Sequence, residues 1–263
     1  MSILSDLFKR EDRPGPGVAP DEPRKKGLRR LWEVCTRDLG SFFWAGLLAL
    51  AGLAAWYFLT FFALLSRSLA LVAAAGAAGG LAAAPELCAL TDLILRGLRD
   101  EPFYFWRAWR KAWRSSLPAC LAPGAALGAA AALDVFAAQL ALEGSAAGGT
   151  LWGVILGMAL LAGFAPYLCA QLVLFEQPLG RSLKNSLLLF LAGLPRSLGA
   201  AAILLGYAAA IALFAPLAYL LLILGNVWLP LAAALLAVYR PMEQALDLEK
   251  QVRAVQEERR GRQ

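Results

Sequence analysis

Two stretches of this chain, 42–65 and 198–239, carry no charged residue, and clusters of lysine and arginine close most of its apolar runs. An apolar run of about 20 residues is long enough for a helix to cross the ~30 Å hydrocarbon core of a bilayer. In that medium every backbone amide must find its partner inside the structure, so such runs are helical. The chain is therefore expected to be all-α, a polytopic transmembrane helix bundle with interfacial amphipathic helices. At 60% hydrophobic and a mean hydropathy of +0.60 it exceeds the ~45–50% apolar content of soluble domains. The excess is Ala, Leu and Gly, residues that let membrane helices approach closely.

Six spans are predicted, at about 42–65, 69–95, 117–142, 151–175, 197–215 and 217–239. The uncharged stretch 198–239 is too long for one helix and fits two, with a hairpin near Pro216. Gly225, Asn226 and Pro230 offer a competing break. Six crossings place both termini on one side. Nine lysines and arginines through Arg37 fall on that side, with six between spans two and three, three between spans four and five, and six after the last span. Only Arg67 falls on the other. Basic loops stay in the cytoplasm, so both termini are expected to be cytoplasmic. Residues 1–34 form a basic, Pro/Gly-rich tail without the apolar core of a signal peptide. Residues 35–241 form the membrane domain. Residues 242–263 form a charged tail with acids and bases at helical spacing.

The composition narrows the function classes. There is no histidine, the commonest general base and metal ligand. Cys35, Cys88, Cys120 and Cys169 are widely spaced and read as small buried hydrophobes. No nucleophile–base–oxyanion set, phosphate loop or metal cluster is present, so an enzyme, a metal and a cofactor are not expected. The net charge of +6 sits in loops and tails. It points to anionic lipid headgroups rather than to nucleic acid. No inverted repeat of the transporter kind is evident.

Three acids fall within the spans: Glu86, Asp92 and Asp134. Ionisable groups in lipid are costly, which makes each a candidate polar site. Asp92 lies one turn from Arg96 and is expected to pair with it. Asp134 approaches the far surface. Glu86 follows Pro85, which frees a backbone carbonyl, and reads either as part of a capped kink or as a ligand contact. Residues 103–114 form a basic amphipathic helix. Trp106, Trp109 and Trp113 share one arc, and Arg107, Arg110, Lys111 and Arg114 share the other. It is expected to lie in the headgroup layer, as an anchor or as a docking surface. A weaker interfacial helix is expected at 182–194. The pairs Gly76/Gly80, Gly124/Gly128 and Gly153/Gly157 suit close packing, within the chain rather than across a dimer seam.

The run from Pro85-Glu-Leu-Cys-Ala-Leu-Thr-Asp92 through Pro102-Phe-Tyr-Phe-Trp106 to Trp113 resembles the central signature of the YesL-like family of bacterial integral membrane proteins. Phe8, the Gly15-Pro-Gly-Val stretch, Lys25-Lys26, Leu31-Trp-Glu33 and Lys184-Asn185-Ser186 extend the resemblance over 1–239. Ala84 stands where the family pattern has glycine, leaving either a shifted turn or a continuous helix. An apolar insertion around 62–80 lengthens the first hairpin. The resemblance implies a multi-pass bacterial plasma-membrane protein whose relatives are linked to carbohydrate uptake, and it supplies no catalytic residues. The expected function is a non-catalytic accessory or scaffold protein, with carbohydrate ABC transporter components as partners. The alternative is a small-solute transporter or channel with Glu86 in its pathway.

Overall fold

The computed structural model describes residues 27–145, 147–175, 177–214 and 221–246. They form α1 (Leu28–Arg37), α2 (Leu39–Leu65), α3 (Leu69–Leu98), α4 (Phe105–Leu142), α5 (Thr150–Leu174), α6 (Leu179–Ala192), α7 (Leu194–Leu213), a π-helical turn (Leu221–Gly225) and α8 (Trp228–Leu246). Among the described residues there is no strand. Five helices, α2 to α5 and α7, are long and apolar enough to cross a membrane. Their side chains include a wide exposed apolar surface, with Tyr57, Phe58, Phe62, Trp152 and Leu156 each more than half exposed. A patch of that size belongs against lipid rather than water. The chain is thus a membrane helix bundle. The proposed tails lie largely outside the described residues, as does the hairpin near Pro216.

The sixth predicted span is interrupted. Its first residues lie outside the described ones, and the remainder breaks after the π-helical turn. Asn226 causes the break. Its backbone is left-handed, with φ +26°. Its Oδ1 accepts from the amides of Val227 at 2.6 Å and Trp228 at 3.1 Å, which starts α8 with a side-chain cap. Its Nδ2 donates to the Phe43 carbonyl at 3.4 Å, tying the break to α2. The competing break at Gly225 and Asn226 is where the helix yields.

The closest packing is between α3 and α4. A Cβ on Gly80 would overlap the Gly124 carbonyl, and one on Gly128 would overlap the Gly76 carbonyl. The two glycine pairs therefore meet each other within one chain. Between membrane helices there is little hydrophobic drive, so backbone proximity and dispersion hold such a seam. Trp56 of α2 closes over it, donating its indole N–H to the Gly128 carbonyl at 3.0 Å. The third pair is split: Gly157 lies under Asp134, and Gly153 has nothing within 4 Å.

Pro85 does not shift a turn; α3 runs through it without interruption. Likewise α4 is continuous over 38 residues, through Pro118 and Pro123. At ~1.5 Å per residue it is nearly twice the depth of a hydrocarbon core. The basic segment 103–114 is therefore not a separate helix. It is the beginning of α4, packed along the last turns of α3. The helix expected near 182–194 is a separate element, α6, which runs Leu179–Ala192.

The charged groups sort the bundle into two ends. Arg30, Arg37, Arg96, Arg99 and Asp100 meet at one, here the basic end. At the other, Arg67 pairs with Glu143 at 3.1 Å, joining the α2–α3 turn to the end of α4. The largest core lies towards the basic end, where Phe42, Leu90, Ile94, Tyr167, Phe190, Trp228 and Leu235 are buried together.

Candidate functional site

The first turns of α4 carry two faces of different character. Phe105 and Trp109 pack on the main core. Trp109 and Trp113 stack with centroids 6.3 Å apart, and Trp106 stands at 89° to Trp109. Trp113 donates its indole N–H to Oε1 of Glu86 at 3.0 Å. Two of the three tryptophans thus turn into the protein, and only Trp106, 59% exposed, faces outward. The periodicity put all three tryptophans on one apolar arc; the structure keeps Trp109 and Trp113 there and sets Trp106 beside the basic residues instead.

On the opposite face Arg107, Arg110, Lys111 and Arg114 are all exposed. With Trp106 and Ser115 they line a groove of about 710 Å³. None of the four has an ion pair or hydrogen bond among the described residues. Four uncompensated cations on a rigid, core-anchored helix make a surface complementary to anions.

Glu86 sits on α3 roughly 26 Å from the Leu69 end. Its side chain lies over Gly52 of α2, where a Cβ would come within 3.3 Å of its Cγ. Its second oxygen, Oε2, is buried and has no hydrogen-bond partner. Asp92 is buried and accepts from Arg96 Nε at 2.7 Å, one turn along the same helix. Asp134 lies elsewhere, against Gly157 of α5. The three acids do not form one site.

A polar cluster at the end of α3 was not singled out in the sequence. Arg30 Nη2 donates to the Leu98 carbonyl at 2.9 Å and to Asp100 Oδ2 at 2.6 Å. Arg37 donates to the Gly97 carbonyl at 2.7 Å and to the other oxygen of Asp100. Two arginines of α1 thus cap the carbonyl end of α3, where cations are favoured. Asp100, with φ +60°, bridges them. Burial alone would raise its carboxyl, but the hydrogen bonds from Arg30 and Arg37 outweigh it and hold the group below the usual carboxylate range. For Arg37 burial works downward, and Asp100 and Asp38 more than offset it, so its pKa is raised. The signal available was the seven-residue spacing of Arg30 and Arg37, which puts both on one helix face.

Cys88, Cys120 and Cys169, from three helices, line one apolar cavity of about 220 Å³ between α2, α3, α4 and α5. Among the described residues no group of three or more Cys, Asp or Glu side chains is placed to hold a metal ion. Cys35, on α1, is separate, and burial pushes its thiol up to about 11.

No protein-family model, curated protein or solved structure matches this chain.

Proposed function

We propose that this integral membrane protein is a non-catalytic accessory or scaffold component of the bacterial plasma membrane, belonging with the YesL-like proteins and associated with a carbohydrate ABC transporter. In this reading both termini are cytoplasmic, and the basic end of the bundle faces the cytoplasm. The observation that carries it is the exposed cationic face of α4: Arg107, Arg110, Lys111 and Arg114, beside Trp106. The stacked Trp109 and Trp113 anchor the helix that carries that face, so little backbone ordering entropy is lost when an acidic partner surface docks. Electrostatic complementarity of this kind sets partner choice and association rate.

The test is a mild-detergent pull-down of the tagged full chain from its native membrane, with mass spectrometry of what accompanies it. A stoichiometric transporter subunit, lost on reversal of Arg107, Arg110 and Lys111 to Glu, is the expected result. Retention of the same partner by the reversed chain overturns the docking role.

The buried, unpartnered Oε2 of Glu86 favours a second reading, a small-solute transporter or channel with Glu86 in its pathway. It requires solute flux into liposomes that falls in Glu86→Gln. Absence of flux across a broad panel of solutes removes it.

A further inference from the structure

A second cationic feature lies apart from α4, between α1, α7 and α8. A crevice of about 690 Å³ opens there at the basic end of the bundle. That volume lies within the ~300–1,000 Å³ of small-ligand sites. Arg196 of α7 and Arg240 of α8 line its mouth, both exposed and neither with a hydrogen bond or salt bridge among the described residues. The helices run antiparallel from this end, since Gly193 meets Pro241 there and Tyr207 reaches Leu221 above. Seven residues further into α7 stands Ile203, and seven back along α8 stands Ala233, both lining the same crevice. Two helical turns are ~10 Å, so the arginines share one level and apolar walls continue some 10 Å beneath them. Leu31 and Leu236 complete those walls. Arg30, deeper on the α1 side, is already paired with Asp100 and Glu33. The crevice carries one carboxylate, Glu243, against the two arginines.

We propose that this crevice binds one acidic glycerophospholipid, its phosphate between Arg196 and Arg240 and the start of an acyl chain along Ile203, Ala233 and Leu236. Charge complementarity at the mouth and an apolar slot running along the membrane-spanning α7 select that occupant. A soluble anion would use the arginines and leave the slot empty, and a neutral lipid would leave the arginines unpaired. Guanidinium groups bind phosphate oxygens through charge-assisted hydrogen bonds, and arginine suits that geometry. The groove on α4 has four cations but no such slot beneath them, which separates the two surfaces. This site stands whether or not α4 docks a transporter.

The experiment is native mass spectrometry of the full chain in detergent, titrated with phosphatidylglycerol or with phosphatidylcholine of the same acyl chains. The expected result is a single phosphatidylglycerol per chain, held about tenfold or more tighter than phosphatidylcholine. In Arg196→Gln/Arg240→Gln that preference disappears. In Ala233→Phe, which fills the slot and keeps both arginines, the lipid is also lost. Arg107→Gln/Arg110→Gln leaves it in place. Equal binding of the two lipids overturns the proposal, as does full retention of phosphatidylglycerol in Arg196→Gln/Arg240→Gln. Competition by glycerol phosphate as strong as that of the whole lipid overturns it too, because the arginines would then be reading a free anion. Both arginines are exposed, so their replacement leaves the packing of the bundle intact and decides the matter if Ala233→Phe does not fold.

Discussion

Trp113 hydrogen-bonds one oxygen of Glu86 at 3.0 Å and leaves the other buried and unpartnered. The pair ties the start of α4 to the middle of α3. It gives the basic face of α4 a fixed position and gives Glu86 its only hydrogen bond among the described residues.

Trp113→Phe should therefore cost more than the loss of one indole. It strands both oxygens of Glu86, and a buried group left unsatisfied costs about 1–3 kcal/mol. Adding Glu86→Leu should recover much of that loss, because replacing both partners by apolar groups is nearly neutral. Thermal unfolding of the four proteins of this cycle in one detergent measures the coupling. Strictly additive losses would mean that the two side chains do not interact.

Asp100 predicts a pH dependence. Its carboxyl is held below its ordinary value of 3.8 in the folded chain by Arg30 and Arg37. A carboxylate with a depressed folded pKa contributes stability above the unfolded value and loses it as pH falls through the folded one. Asp100→Asn keeps a residue that tolerates the left-handed backbone and removes the charge. At neutral pH it should lower stability by about 1.5–3 kcal/mol, the range for hydrogen bonds to charged groups. The gap between the two proteins should be constant from neutral pH down to about the carboxylate range and close below 3.8. A gap that stays open in acid would assign the loss to the shape of the turn rather than to the charge.

The sequence made some of this arrangement legible and concealed the rest for physical reasons. The spanning helices follow from uncharged runs and their basic borders, because the bilayer forbids unpaired backbone. The Asp92–Arg96 contact is local, one helical turn, and the four-residue spacing displays it. Asn226 is also local: it caps its own helix, and Gly225-Asn226 announces the break. By contrast, the Arg30–Asp100 and Arg37–Asp100 contacts join residues about 70 and 63 positions apart. Nothing in either local pattern names the other. Cys88, Cys120 and Cys169 converge for the same reason, through tertiary packing alone. The tryptophan pattern of α4 was visible, but the protein interior receives two of its three rings, Trp109 on the main core and Trp113 on Glu86.

The Asn226 break makes a test of its own. Asn226→Ala removes the cap on the Val227 and Trp228 amides and the donation to Phe43, all in a fully buried position. Loss of an N-cap costs ~0.5–2 kcal/mol, and burial raises the cost. Gly46→Ala approaches the same contact from α2, since its new methyl would overlap the Asn226 side chain. Both should loosen the α2–α8 contact and increase hydrogen exchange at residues 226–230. If exchange there is unchanged in both variants, the cap does not hold the start of α8.

The glycine seam yields the sharpest contrast. Gly80→Ala drives a methyl into the backbone carbonyl of Gly124, an atom that cannot rotate away. Gly153→Ala, on a helix of similar character, meets nothing within 4 Å. Both substitutions favour helix by propensity, by close to 1 kcal/mol. Overpacking costs ~1–3 kcal/mol, so at Gly80 the clash should win and at Gly153 propensity should. Thermal midpoints in detergent should therefore move in opposite directions, down for Gly80→Ala and level or up for Gly153→Ala. The two alanines also separate packing within the chain from a dimer seam. If Gly80→Ala leaves the midpoint unchanged and instead dissociates an oligomer on size exclusion, the α3–α4 seam belongs between chains.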